Sequence, residues 1–434
     1  IGAKLMGSSL REDARIAFGS IENSGLLDFV AAWYVKAVRY VKSKNDCRCA
    51  FVSTNSITQG EQVGVLWGWM LSQGIRIQFA HRTFDWSNEA RGNAAVHCVI
   101  IGFGLEDLKE KIIYEYEDIK GKPLAVEAKN INPYLVDASD MVLARRSKPI
   151  CNVPEIRFGN QPIDGGNFIL TSEEANKLKS DHPESIPYVR AYIGAEEFIN
   201  GGERFCLWLI GCPPKLLRDI PFIRSRLDAV RKYRLESNRA ATRDLAEIPT
   251  EFAFVSHTNG SYLIVPSVSS ERRHYVPIGF DGGHSIVSNA CLAIYDATLF
   301  HFGVMTSAMH NAFMRFTCGR LESRYRYSAS IVYNNYPWPG FAGEPLSDKQ
   351  RSAIEHAAQC VLDARAQFAD ASLADLYDPL TMPPALLKAH QKLDAAVDAA
   401  YLPSGGKKAY ASDAERVASA AAGAIHFGAG HEDA

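Results

Sequence analysis

No apolar run in this sequence approaches the roughly 18 residues that a membrane-crossing helix needs, so a membrane partner is not expected. The opening residues, Ile1-Gly2-Ala3-Lys4-Leu5-Met6, lack the charged, apolar and small-residue regions of a secretory leader. Cysteine is scarce, nine in 434 residues with no even framework, which excludes a disulfide-stapled secreted fold. Free or buried thiols suit a reducing compartment, and the expected location is the cytoplasm. Cys47-Arg48-Cys49 and the pair Cys206/Cys212 lack the spaced second half of a zinc site, so no metal site is expected. Gly102-Phe103-Gly104 has no third glycine after it and no Walker lysine, and it reads as a strand-ending turn rather than a phosphate loop. No internal repeat is present.

What is present is the balance of an ordinary folded protein, 47% apolar and 22% charged, long enough for two or three domains. The net charge of −2 conceals an asymmetry. Residues 201–330 hold 16 Lys and Arg against 11 Asp and Glu, while 341–434 hold 8 against 13. A polyanion would be gripped by the basic middle, although an ordinary solvated surface has the same composition.

Periodicity divides the chain in three. Over 1–112 helix and strand alternate, the pattern of the second half of an α/β sheet. Leu26, Phe29, Val30, Trp33, Ala37, Val38 and Val41 fall at helical spacing and predict one apolar face over 25–41. Strands are predicted at 49–53, 75–79 and 95–101, with a helix over 61–73 capped by Gly74 and a turn-rich interval over 83–93. The middle, 113–338, mixes short β-like runs such as 252–255 and 262–266 with a long helical stretch, 218–247. The final region, 346–434, is mostly helical, interrupted at Pro379 and Pro383-Pro384.

Two segments point to a ligand. The strand Phe51-Val52-Ser53 runs into Thr54-Asn55-Ser56-Ile57-Thr58-Gln59-Gly60-Glu61-Gln62, polar residues at the sheet edge where open α/β proteins bind ligands. Loop polarity alone is the competing explanation. Thr83-Phe84-Asp85-Trp86-Ser87-Asn88 places two aromatics in a polar setting, a flat π surface able to stack on a base. A weaker alternative is a nuclease using Asp118, Glu127 and Lys129.

These segments resemble a known family. Leu27-Asp28-Phe29-Val30-Ala31-Ala32-Trp33-Tyr34, Phe51 through Ile57, and Phe84 through Asn88 are similar to the later motifs of an adenine-N6 DNA methyltransferase. The match is to the MmeI-like, type IIL restriction–modification family. Tyr192 through Phe198, Val268 through Arg273, and Cys318-Gly319-Arg320-Leu321 through Asn335-Tyr336-Pro337-Trp338-Pro339 resemble its target-recognition and C-terminal domains, and Ser372 through Leu380 its C-terminal helical domain. The resemblance implies an α/β plus α+β chain. Its parts would be the C-terminal half of a Rossmann-like class I methyltransferase sheet (1–118), a mixed α+β DNA target-recognition domain (119–338) and an all-α C-terminal domain (339–434).

The family's glycine-containing S-adenosylmethionine motif and its Asn-Pro-Pro-aromatic tetrad are not among these residues; Asn132-Pro133-Tyr134 is one proline short. The resemblance therefore implies a C-terminal portion that starts just downstream of the catalytic loop and is completed by a missing N-terminal half. No cofactor-binding residue is expected in this chain. S-adenosylmethionine would serve the complete enzyme, and Mg²⁺ only an absent nuclease domain. By itself the chain is expected to recognise double-stranded DNA without methylating it; the alternative is a non-catalytic DNA-specificity subunit paired with a separate catalytic chain.

The resemblance also implies site residues. Phe84, or Trp86 as the alternative, would stack on a flipped adenine. Glu322 and Arg324 would read base edges, with Arg272 and Arg273 a second set. Arg320 stands with them, a bridging structural role being its alternative. Arg231, Lys232, Arg234 and Arg239 lie on a stretch crowded with arginine, suited to phosphate contacts or to a plain solvated face.

Overall fold

The computed structural model describes residues 1–44, 46–86, 96–116, 118–321, 323–341, 345–402 and 409–428. It is a mixed α/β structure with several sheets, in two compact units that are each discontinuous in sequence. Unit 1 comprises Ile1–Asn152, Ala308–Arg351 and Asp394–Ala434; unit 2 comprises Val153–Ser307 and Ser352–Leu393. No helix among the described residues is long and apolar enough to cross a membrane.

Unit 1 begins with α1 (Ser8–Phe18) and α2 (Ala31–Ser43), then strands β1 (Cys49–Thr54), β2 (Arg76–Trp86), β3 (Val96–Gly104), β4 (Lys111–Glu115) and β5 (Leu124–Ala128). The strands form one sheet in the order β1-β3-β2-β4-β5. β3 is antiparallel to both β1 and β2, and β2 and β4 are parallel. The core is aromatic. The buried Tyr34 ring stacks on Phe103 at 5.6 Å and meets Phe51 edge-on at 5.1 Å. Its hydroxyl lies 2.9 Å from Ser53 Oγ, and burial pushes its pKa up to about 12.

Three expectations for this unit need correction. α2 starts only at Ala31, after a separate turn at Ser24–Leu26; it buries Ala31, Ala32, Tyr34 and Val35 together with the expected Ala37, Val38 and Val41. Leu26 and Phe29 precede the helix, and Trp33 is 58% exposed with the Lys36 ammonium 5.8 Å from its ring. β2 runs on to Trp86, so Thr83–Trp86 is strand rather than turn; 87–93 lie outside the described residues. Two register shifts, between Ile77 and Phe79 and between His81 and Phe84, let it continue where simple alternation fails. Gly102-Phe103-Gly104 belongs to β3 itself. A Cβ on Gly102 would stand 2.1 Å from the Phe79 ring, the close approach that only glycine permits. Gly74 does end the preceding helical stretch, at φ +84°.

Unit 2 carries β6 (Ile156–Phe158), β7 (Ile169–Leu170), β8 (Val189–Ile193), β9 (Phe205–Leu207), β10 (Tyr262–Pro266), β11 (Val268–Ser269), β12 (Gly279–Asp281), β13 (Ile286–Val287) and β14 (Cys291–Tyr295). Two four-stranded sheets result, β12-β10-β14-β6 and β13-β8-β9-β7. Buried Asn160, just after β6, holds β13 and the 256–257 segment: its Nδ2 donates to Val287 O at 2.9 Å and its Oδ1 accepts from the Ser256 and His257 amides. The run 262–266 is a fully buried strand as expected, whereas 252–255 is not a strand and makes only a bridge from Phe254 to Gln161. The expected long helix over 218–247 is divided into Pro214–Asp219, Pro221–Leu235 and Ala240–Asp244. Pro221, which cannot continue the preceding ladder, opens the second of these.

The chain then returns to unit 1 with the helix Ala308–Thr317 and the hairpin β15 (Gly319–Leu321) and β16 (Arg324–Arg326). The remaining C-terminal elements are helical, as expected: Asp348–Ala366, Leu373–Leu376, Pro384–Tyr401 and Asp413–Gly428.

Arg234 contradicts its expected role as a phosphate contact. It faces inward on Pro221–Leu235 beside Ile223 and Val230 and is fully buried. Its five N–H groups donate to five carbonyls, those of Ile163 (3.0 Å), Leu245 (2.9 Å), Ile248 (3.1 Å), Pro162 (2.9 Å) and Glu251 (2.7 Å). Burial lowers its pKa, and Asp164 opposes that shift. Arg234→Met should cost roughly 3 kcal/mol or more, because buried carbonyls lose a charged donor. Arg231→Met, on the exposed side of the same helix, should stay within about 0.5 kcal/mol. Urea unfolding of both variants tests this; equal losses would contradict the hub reading.

Candidate functional site

Because β1, β2 and β4 run in one direction, their C-terminal ends share an edge of the unit 1 sheet. Phe84 and Trp86 stand at that edge. Phe84 is half-buried and stacks on Tyr116 at 5.3 Å with the planes 20° apart; Trp86 is 40% exposed, 6.3 Å from Phe84. His81 stacks on Tyr114 at 4.1 Å, meets Phe84 edge-on at 6.3 Å, and places Nδ1 2.9 Å from the Tyr116 hydroxyl. Burial lowers the pKa of His81, which favours the neutral imidazole. The result is an aromatic cluster of two stacked pairs set at an angle to one another, partly open at Trp86. Sequence reading missed His81, Tyr114 and Tyr116, because only the parallel pairing of β2 with β4 brings the two tyrosines to His81 and Phe84.

The polar run after β1 is largely satisfied from within. Asp28 gathers it: Oδ1 accepts from the Ala3 amide at 2.9 Å, and Oδ2 accepts from Gln62 Nε2 at 2.8 Å and Ser56 Oγ at 3.0 Å. Gln62 Oε1 in turn accepts from the Asp28 amide at 2.9 Å. Thr58 and Gln59 are buried, and the Gln59 amide oxygen has no hydrogen-bond partner among the described residues. This run is chiefly the loop's own scaffold.

The segment 314–328 ends a helix and makes a hairpin in the same unit. Gly319 pairs with Arg326, Arg320 with Tyr325 and Leu321 with Arg324. Arg324 and Arg326 therefore share the outer face and are exposed, while Tyr325 is buried on the other. Arg320 lies on that inner face, its guanidinium 3.9 Å from the Tyr325 ring and its Nη1 donating to Ser323 O at 2.8 Å. Both contacts lie within the hairpin itself. Glu322 lies outside the described residues.

Three family models match in order: the MmeI DNA-methyltransferase domain over residues 1–115, the MmeI target recognition domain over 137–340 and the MmeI C-terminal domain over 346–422. The chain is MmeI-like. The structure of the type IIL restriction-modification enzyme MmeI in complex with DNA matches with a TM-score of 0.89 and 48% identity, over 99% of this chain and 56% of that one. DNA methyltransferase A of Bacillus subtilis (strain 168) is 39% identical over 417 residues, 96% of this chain and 46% of its own length. The chain thus spans about half the length of the relatives it matches.

The MmeI-like domain matches distribute the site. Phe84 and Trp86 fall in the methyltransferase match; the hairpin and the basic helix fall in the target-recognition match. On Pro221–Leu235, Arg224, Arg231 and Lys232 are exposed, while Arg226 pairs with Glu174. Arg239 is exposed just before Ala240–Asp244. Arg272 is exposed in the turn after β11; Arg273 is half-buried, and burial lowers its pKa against the opposing pull of Asp378. Asn132 is buried, and its Oδ1 accepts from the Tyr134 and Val136 amides, a turn-forming role. Among the described residues no group of three His, Cys, Asp or Glu side chains could hold a metal. Asp118 accepts from the Lys120 amide in a turn, and Glu127 is exposed on β5.

Asp28→Ala would strand the donors of Ala3, Ser56 and Gln62 together. A loss of ~2 kcal/mol in thermal unfolding is expected for a group with that many partners; an unchanged melting curve would show the network to be dispensable.

Proposed function

We propose that this chain recognises double-stranded DNA and supplies one aromatic wall of an adenine-N6 methyltransferase active site of the restriction–modification kind. The observation that carries the reading is a juxtaposition within unit 1. The open aromatic edge at Phe84 and the hairpin exposing Arg324 belong to one compact body, although they are far apart in sequence.

The chemistry follows from the substrate. The exocyclic amine of adenine is a weak nucleophile conjugated into its ring, and it is inaccessible inside a duplex, so the base must be turned out and held. Phe84, backed by Tyr116, offers a stacking face for that base, with Trp86 the alternative. Orienting the amine requires hydrogen-bond acceptors of the Asn-Pro-Pro-aromatic kind, which these 434 residues do not include. S-adenosylmethionine supplies the methyl group in enzymes of this class. The polar run at this edge does not fit it as a resident ligand, since its hydrogen bonds converge on Asp28. The acceptors and donor site belong, in this proposal, to residues outside this sequence, completing what was described above as the second half of a Rossmann-like sheet. Mg²⁺ would serve only a nuclease domain, likewise outside it.

Recognition divides between the units. Arg324, with Glu322, would read base edges; Arg272 and Arg273 form a second set on unit 2; Arg231, Lys232 and Arg239 would hold phosphates. A binding selection from randomised duplexes tests this. Changing Glu322 and Arg324 together should alter the preferred base at one position, by ~1–3 kcal/mol of discrimination. Arg231→Ala or Lys232→Ala should weaken all sequences alike and flatten the salt dependence. A double change at Glu322 and Arg324 that lowers affinity uniformly, with the preferred site intact, would refute the assignment. The chain alone should transfer no labelled methyl groups to DNA, and transfer would overturn the proposed division of labour. Phe84→Ala should weaken stacking on an extrahelical 2-aminopurine by ~1–3 kcal/mol, read as lost fluorescence quenching, without unfolding unit 1.

A further inference from the structure

Arg82 occupies the register shift of β2 between His81 and Phe84. Its neighbours on the strand enter the aromatic edge, but its own guanidinium is held elsewhere. Nε donates to the Leu135 carbonyl at 2.9 Å, and Nη1 pairs with Glu115 Oε1 at 2.6 Å. The same plane lies 5.1 Å from the centroid of the Phe316 ring. Leu135 is a buried residue at φ +58°, a conformation that bulky side chains rarely adopt, and its carbonyl is the one Arg82 takes.

Phe316 is the penultimate residue of Ala308–Thr317, the helix that leads directly into the hairpin. A second contact reinforces the first at the hairpin's root: the Gly60 amide donates to the Thr317 carbonyl at 3.0 Å. Gly60 sits at φ +64°, and a Cβ there would lie 3.4 Å from Gly319 Cα. The helix is braced on another side by Arg315, whose guanidinium reaches Asp413 Oδ2 at 2.7 Å.

We propose that Arg82 is a positioning residue that couples base reading by the hairpin to base stacking at Phe84. It rests on the function proposed above. One planar cation spans the strand that carries the stacking ring and the helix that aims Arg324, so the two act as one body. A plain charge at this position would not do the same, because the fork must satisfy Glu115 and Leu135 while its face packs on Phe316.

The test uses the full chain, randomised duplexes for discrimination and an extrahelical 2-aminopurine duplex for stacking. Arg82→Met should reduce discrimination at the position read by Arg324 roughly threefold to tenfold, within the range for mutations along a coupling network. The Phe84-dependent quenching should fall with it, while affinity for random duplex holds within about twofold because phosphate contacts are untouched. Arg82→Lys, which keeps the charge and loses the fork, should fall between Arg82→Met and the unaltered chain. Phe316→Leu should reproduce the loss, and the double variant should be no worse than either alone, the signature of a shared interaction. Phe316→Leu also decides the question if Arg82→Met does not fold. Discrimination and quenching unchanged in these variants, while Arg324→Ala and Phe84→Ala each remove their own signal, would overturn the coupling and leave the proposed function standing. Arg324→Ala and Phe84→Ala without effect would instead remove that function, and the coupling with it.

Discussion

β3 lies antiparallel between β1 and β2, and that placement obliges its two neighbours to run the same way. β4 then follows β2 in parallel, so the C-terminal ends of three strands meet at one edge. The polar run after β1, the aromatics of β2 and the tyrosines at and beyond the end of β4 all depend on this direction. Reversing β4 against β2 would pair different residues with His81 and dissolve the stack of Phe84 on Tyr116. The candidate site is thus a consequence of strand direction more than of any single motif.

Arginine chemistry organises both units in the same way. A guanidinium has five donors in one plane, and a cluster of inward carbonyls can satisfy it without a carboxylate. Arg234 does this in unit 2, where it closes the turn around Ile163 and the segment 245–251. Arg82 uses the same planar fork in unit 1, but with a carboxylate, combining one carbonyl, Glu115 and one ring. Arg231 and Lys232, a short way along the same helix from Arg234, remain at the surface. Burial, and not the density of basic residues, separates the arginines that build the fold from those able to meet a polyanion.

The division into units also separates the candidate DNA contacts. Arg324 and Phe84 belong to unit 1, whereas Arg272, Arg231 and Lys232 belong to unit 2. A hairpin inside the target-recognition match is therefore physically part of the body that carries the methyltransferase match. The hairpin's root is also bonded to the loop after β1, so the two matches share one packed body.

Local residue order by itself determined a good part of this protein. Contiguous motifs carry the MmeI-like resemblance, and the mixed α/β character, β10, the glycine end at Gly74 and the C-terminal helices are all legible because they depend on neighbours in the chain. Tertiary structure alone decided the rest. Which face of α2 points inward depends on where the helix starts, and a few residues' delay turned Trp33 outward and Tyr34 in. The extension of β2 to Trp86 depends on register shifts that break the two-residue period. The grouping of His81 with Tyr114 and Tyr116, the convergence of five carbonyls on Arg234 and the meeting of Arg82 with Phe316 join residues whose separation in the chain carries no periodic signal. Hydrogen bonds and ring contacts of that kind exist only once the sheet and helices have packed, and no local pattern encodes them.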